Sequence, residues 1–355
     1  MLGSQSRNRG RNIRILAGGF LAGIATAFPV TAHASLLSNV VFNDALASNG
    51  STLDSGAQSY SNSATPTATS TNYDVASNKE AVGTPNSTLT GGSPLELDMA
   101  STSSGIAEVQ AVFTSTPVVL SSIGQAVEIT TTFNNDKGLN QNSSSAVYLG
   151  LYSSGGNAPY SNLGNGSSTV NTITGIGNSE INDNSGGVQA WSGYETDYFG
   201  GSATKIYTRP AQTIGSNNTD QALVGEGQTG GPTGTQQAYF GQNNTETTLT
   251  VGNTYTDEML ITLTGTNLYT ISEALYNGSS DTGTQIGTTT TTTSTVPALS
   301  SGGFDGLSIG YRQSDSLASE MDISSVEVTT NVPEPASLGI LSLVGLGLMH
   351  RKRRP

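Results

Sequence analysis

The sequence predicts an all-β protein: a two-sheet antiparallel sandwich, jelly-roll-like, with long polar loops, framed by an N-terminal signal helix and a C-terminal transmembrane helix. Three observations carry this. From residue 35 to residue 330 apolar residues come in short blocks that alternate with polar ones, the period-two signature of strands with one buried face. No helical period is sustained in that span. At each end, by contrast, an unbroken apolar run lies beside a cluster of arginines.

The strands follow from the alternation. Val127 to Phe133 puts Val127, Ile129 and Phe133 on one side. Ala146 to Tyr152 sets Val147, Leu149 and Leu151 against Tyr148 and Tyr152. Met259 to Leu263 and Leu268 to Ser272, joined through Gly265-Thr266-Asn267, read as a hairpin. Further strands are expected at Val40–Phe42, Leu95–Met99, Ile106–Phe113, Val118–Leu120, Lys205–Thr208, Leu307–Tyr311 and Ile323–Thr329. Two facing sheets accommodate such a series. The polar stretches Ala45–Gly92, Ser153–Gly187, Gln212–Gln242 and Asn277–Gly303 read as loops, long enough to be functional or unstructured. The last holds Thr288 to Thr293, expected to be a plain extended loop that could carry O-linked sugars.

Charge divides the chain into three parts, 1–34, 35–330 and 331–355. Four of the 13 basic residues are Arg7, Arg9, Arg11 and Arg14, and four more are Arg351, Lys352, Arg353 and Arg354. The body between them keeps five cations, Lys79, Lys137, Lys205, Arg209 and Arg312, against 25 acids, a formal charge of -20. So anionic a surface repels phosphate backbones and speaks against a nucleic-acid partner.

Residues 1–34 read as a secretory signal peptide. The arginines form a positive head, Ile15 to Ala25 an apolar run, and Ala32-His33-Ala34 a small-residue site with cleavage expected after Ala34. No Arg-Arg pair occurs in the head, so the general export route fits better than the twin-arginine one. The chain has no cysteine, so its fold rests on burial and sheet hydrogen bonds, not on disulfides.

At the other end, Val332-Pro333-Glu334-Pro335 interrupts regular structure, because each proline removes a donor and restricts the residue before it. The uncharged run Ala336 to Met349 follows, then His350 and the basic tail. As a helix this run is about 21 Å long, shorter than the ~30 Å hydrocarbon core of a bilayer. The basic flank favours a membrane placement, since it sits naturally among anionic headgroups on the cytoplasmic side. Both ends then agree that the body is exported.

Pro333-Glu334-Pro335, a short Gly/Leu-rich apolar stretch (336–349) and the basic stop Arg351, Lys352, Arg353 and Arg354, in that order, resemble the tripartite tail of PEP-CTERM proteins. The resemblance covers about 25 residues. It implies an exosortase partner in the inner membrane of a Gram-negative cell, processing near the motif, and delivery to the cell surface or an exopolysaccharide matrix. No Leu-Pro-x-Thr-Gly sortase motif is present, and a GPI signal would end in its apolar tail. The strand series, ending in Leu307 to Tyr311 and Ile323 to Val328, also resembles concanavalin-A-like sandwiches.

The only histidines are His33 and His350, so the body holds neither histidine nor cysteine. Ser-His-Asp catalysis, Cys-His catalysis and ordinary zinc sites are thereby excluded from it. Carboxylate chemistry remains, and glycoside hydrolysis needs only two suitably placed acids. Glu195 and Asp197 fall on one face if Trp191 to Phe199 is extended, but no Glu-x-Asp-x-x-Glu signature accompanies them. The nearby Trp191, Tyr194 and Tyr198 could stack on sugar rings. The plainer reading, expected first, places Trp191 and Phe199 in the core and the acids in solvent. Calcium is a candidate ion by ligand type alone, at Asn134-Asn135-Asp136 or Asn182-Asp183-Asn184, and no other cofactor is expected. The expected function is that of a non-catalytic surface or matrix protein. A carbohydrate-binding module attached to exopolysaccharide, or a carboxylate-dependent glycosidase, is the alternative.

Overall fold

The computed structural model describes residues 37, 39–44, 58–59, 72–77, 95–99, 105–139, 145–157, 190–199, 204–211, 223, 239–242, 248–290, 296–297, 299, 303–313 and 319–332. The expected signal and tail helices, with Ala32, Ala34, Pro333, Glu334, Pro335 and the basic stop, lie outside them.

Sixteen strands are formed by the described residues: β1 (Asn39–Asp44), β2 (Gln58–Ser59), β3 (Asn72–Ser77), β4 (Leu95–Met99), β5 (Gly105–Val112), β6 (Ala126–Lys137), β7 (Ala146–Ser153) and β8 (Ser192–Phe199), then β9 (Lys205–Arg209), β10 (Tyr239–Gln242), β11 (Thr254–Gly265), β12 (Leu268–Asn277), β13 (Thr284–Thr290), β14 (Val296–Pro297), β15 (Gly306–Gln313) and β16 (Ser319–Thr330). They make two antiparallel sheets. The first runs β1-β16-β6-β11-β12-β13, with β4 on β16 and β14 on β12. The second runs β10-β9-β8-β7-β15-β5-β3-β2. Neighbours distant in sequence, such as β16 beside β6 and β15 beside β7, show that the chain crosses between the sheets repeatedly.

One apolar core lies between the sheets. Val127, Ile129 and Phe133 of β6 and Met259 and Ile261 of β11 meet Val147, Leu149 and Leu151 of β7 and Leu307 and Ile309 of β15. Each fully buried aliphatic side chain contributes roughly 1.5–3 kcal/mol. Aromatic rings also cross the gap: Tyr194 of β8 stands edge-on to Tyr269 of β12, with ring centroids 5.8 Å apart. The Tyr311 hydroxyl donates to the Ser319 and Leu97 carbonyls at 2.9 and 3.3 Å, joining β15 to strands of the opposite sheet.

The hairpin forms as expected between β11 and β12, and Asn267 takes the left-handed conformation its turn requires (φ 57°). Several expectations are corrected: β2 and β3 lie inside the expected loop Ala45–Gly92, and β10 inside Gln212–Gln242, each held by pairing to a neighbouring strand. Val118 makes an isolated bridge to Phe304, not a strand. The Asn277–Gly303 stretch is not a plain loop, because β13 pairs with β12 from Thr284↔Asn277 to Thr290↔Ser272. β-Branched threonines suit a pleated strand even without an apolar alternation to announce them.

Candidate functional site

The second sheet has an outer face, directed away from the shared core, and it is polar. Alternation on β8 sends Tyr194 and Tyr198 into the core and Glu195 and Asp197 outward. On β7 the outward residues are Tyr148, Gly150 and Tyr152. Lys205, Tyr207 and Arg209 come from β9, Ser308 and Arg312 from β15, and Glu108 and Gln110 from β5. Register sets them side by side: Tyr148 opposite Asp197, Asp197 opposite Lys205, Glu195 opposite Tyr207, and Ser308 between Gln110 and Gly150.

Glycine shapes the floor. The Tyr152 ring lies so close over Gly150 and Gly193 that a Cβ at Gly193 would come within 2.2 Å of the Leu151 carbonyl and 2.5 Å of the ring. The Tyr152 hydroxyl donates to Glu195 Oε2 and to the Leu223 carbonyl, each at 3.4 Å. The Leu223 amide donates to Glu108 Oε1 at 2.7 Å, and Gln110 Nε2 donates to the same oxygen. Leu223, Trp191 and Tyr152 thus form a small apolar cap over one side of the face. The Trp191 indole donates to the Asn157 carbonyl at 3.0 Å, and Arg209 Nη1 donates to the Trp191 carbonyl at 2.5 Å.

Beside this cap three buried polar groups find no hydrogen-bond partner among the described residues: the Tyr148 hydroxyl, both Asp197 carboxylate oxygens and Ser308 Oγ. Leaving such groups unsatisfied costs roughly 1–3 kcal/mol each, so they mark a place for water or a hydroxylated ligand. Burial pushes the Asp197 carboxyl well above the usual carboxylate range, against the opposing pull of Lys205 and Arg312. Burial, then the neighbouring Asp197, holds the Tyr148 phenol well above its ordinary value. Burial thus favours the neutral form of Asp197, in which the carboxyl donates a hydrogen bond as well as accepting one. Lys205 and Arg312 near Asp197 are half-buried, whereas Tyr148, Asp197 and Ser308 are themselves fully buried.

The sequence expectations meet this geometry unevenly. Glu195 and Asp197 do share one face of an extended strand. They do not face solvent, both being fully buried. Trp191, Tyr194 and Tyr198 are at most 1 % exposed, so the expected stacking platform offers no open ring face. The two tyrosines fill the main core, while Trp191 packs in the separate cap. Sequence reasoning passed over Tyr148, Ser308 and the basic side chains, whose only signal was their position out of phase with the core residues.

At the calcium candidates, Asn134 Nδ2 donates to the Gly252 carbonyl and to Thr254 Oγ1, each at 3.4 Å, and Asn135 Oδ1 accepts from the Leu139 amide at 2.9 Å. Asn135 Oδ1 is thus already engaged within the fold. Asn182 to Asn184 lie outside the described residues. Among the described residues no three His, Cys, Asp or Glu side chains gather as a metal set, and no helix is long and apolar enough to cross a membrane.

No protein-family model matches the chain, and no curated protein matches it. Among solved structures, similarity is found to peanut lectin, at 10% identity and a TM-score of 0.37, covering 80% of this chain and 99% of that one. Lectin II from Ulex europaeus is similar at 12% identity and a TM-score of 0.35, covering 73% and 93%. An alginate lyase from Aplysia kurodai is similar at 11% identity and a TM-score of 0.36, covering 67% and 82%. Likeness at this level carries no ligand or reaction across to this chain.

Proposed function

We propose that the chain is an exported β-sandwich protein, carried toward the cell surface or an exopolysaccharide matrix by its terminal signals, and that the outer face of its second sheet binds a carbohydrate. The observation that carries the binding reading is the buried trio of Tyr148 hydroxyl, Asp197 carboxyl and Ser308 hydroxyl, which have no hydrogen-bond partner among the described residues. Sugar hydroxyls both donate and accept, and a phenol, a carboxyl and an alcohol on adjacent strands answer them in kind. The partly exposed charges of the face are Lys205 and Arg312, while its carboxyls Glu108, Glu195 and Asp197 are fully buried, so an acidic polysaccharide is favoured. Three of the five cations of the body, Lys205, Arg209 and Arg312, share this face, although the body as a whole carries -20.

The test is titration of the purified body with acidic and neutral polysaccharides. The acidic ones are expected to bind, and Tyr148→Phe and Asp197→Asn are each expected to weaken binding by about tenfold, or ~1.4 kcal/mol. Thermal stability should hold or rise in Tyr148→Phe, because a buried unpaired hydroxyl is removed. Undiminished affinity in both variants would refute the site. The export reading is tested separately, by the mass and cellular fraction of the mature protein.

A further inference from the structure

Four segments of the chain that reach one end of the sandwich carry no charged residue. The sequence has no Asp, Glu, Lys or Arg in 109–127, 259–272, 282–304 or 328–333. Described residues of all four meet at this end. The Gly124 amide donates to the Leu263 carbonyl at 2.8 Å, and the Leu263 amide donates to the Gln125 carbonyl at 2.9 Å. Phe304 and Val118 exchange backbone hydrogen bonds at 2.9 and 2.8 Å, and Tyr269 pairs with Val296. In a body holding 25 acids these uncharged segments set this end apart, and the adjoining Asp305 is buried.

The same end is apolar. Among the described residues the exposed large hydrophobic side chains are Val40, Val119, Ile123 and Val251. The first three lie here, Ile123 being 71% exposed and Val119 49% exposed, and Val40 pairing with Thr329. Val119 and Ile123 rim a cleft of about 370 Å³ whose floor includes Leu263 and Tyr269. Val251 sits at the opposite end of β11, about 36 Å away along a 12-residue strand.

The described chain also ends here. Asn331 Nδ2 donates to the Gly124 carbonyl at 2.9 Å, and Asn331 Oδ1 accepts from the Ala126 amide at 2.8 Å. Asn39 Nδ2 donates to the Val332 carbonyl at 3.0 Å. The apolar run 336–349 begins four residues after Val332, a reach of at most about 14 Å.

We propose that this end is a membrane-facing surface, which rests on the lipid interface while the tail is embedded, with Ile123 and Val119 entering the headgroup boundary. The inference rests on the membrane reading of the tail. A short tether leaves the body no room to present a distant face. Because the four segments hold no acid and Asp305 is buried, the repulsion of anionic headgroups is confined to Glu334 in the tether, on the order of 1 kcal/mol per charge near the surface. Exposed aliphatic side chains gain by leaving water there.

The native lack of cysteine makes the test direct. Full-length Ile123→Cys and Val251→Cys, each labelled with a polarity-sensitive fluorophore, are reconstituted into phosphatidylethanolamine/phosphatidylglycerol vesicles containing brominated lipid. Flotation of both variants with the vesicles is expected. The label at position 123 should shift to the blue and be quenched several-fold, and the label at position 251 should not respond. Flotation with equal responses at the two positions would overturn the membrane-facing surface and leave the tail reading standing. Loss of flotation would remove both. A blue shift at position 123 without vesicles, together with a dimeric mass, would assign the surface to a second copy of the chain and overturn the proposal as well.

Discussion

Gly193 shows how far a single side chain governs the candidate site. The Tyr152 ring can lie across β7 and β8 only because positions 150 and 193 carry no Cβ. From there its hydroxyl reaches both Glu195 and Leu223. The atom nearest an added Cβ at Gly193 is a backbone carbonyl, which cannot swing aside. Gly193→Ala is therefore expected to lower stability by about 1–3 kcal/mol, measured by denaturant unfolding. It should weaken polysaccharide binding too, since the displaced ring holds Glu195. Asp197 illustrates the complementary point, that burial rather than residue type sets chemical character. An exposed aspartate titrates in the ordinary carboxylate range, but burial pushes this one well above it.

At the scale of elements, the first sheet carries an acidic strip whose pH dependence follows from register. Glu128 of β6 lies opposite Leu260 and Thr329, and Glu258 of β11 lies opposite Thr130, so the two carboxyls are diagonal neighbours on one face. Burial, then Asp281 and Glu327, raises Glu128 to about 7. Burial, then Glu128, Asp281 and Asp257, raises Glu258 to about 8. Groups whose folded values are raised above their unfolded ones are fully accommodated at low pH. They destabilise the fold progressively as pH rises from the ordinary value near 4.5 through the folded values. Unfolding free energy is thus expected to fall by a few kcal/mol, to order of magnitude, between about pH 5 and 8. Glu258→Gln should flatten that slope, and thermal melts across the range decide it. A slope unchanged in the variant would show that the acid is not held protonated.

For the whole molecule, the body and its terminal segments make separable claims. The fold is that of the body, two eight-stranded sheets around one core. The sorting reading lies in the tail and is tested there. Glu334→Ala is expected to leave the protein unprocessed, with the mass of the tail retained and the chain kept in the inner-membrane fraction. Identical mass and location for variant and wild type would end the exosortase reading. Mass spectrometry of the exported form should also place its first residue at Ser35.

Much of the fold was legible in the residues, because an alternating pattern states which side of a strand is apolar. Val147, Leu149 and Leu151 pointed inward as their spacing required. The strands that escaped were those without such a pattern. β13 is mostly threonine and glycine, and β3 and β10 lie inside stretches read as loops. Their places are fixed by hydrogen bonding to neighbours far along the chain, and sequence spacing does not record that.

The sequence by itself determined the all-β class, the absence of histidine and cysteine chemistry from the body, and the pairing of Glu195 with Asp197 on one strand face. All of these are local properties of composition and period. Only the tertiary structure decided that both acids are buried, that Tyr148, Asp197 and Ser308 adjoin, and that four uncharged segments meet at one end where the described chain stops. Alternation tells a strand which two faces it has. What covers each face, and which distant strand lies alongside, depends on the packing of the whole chain.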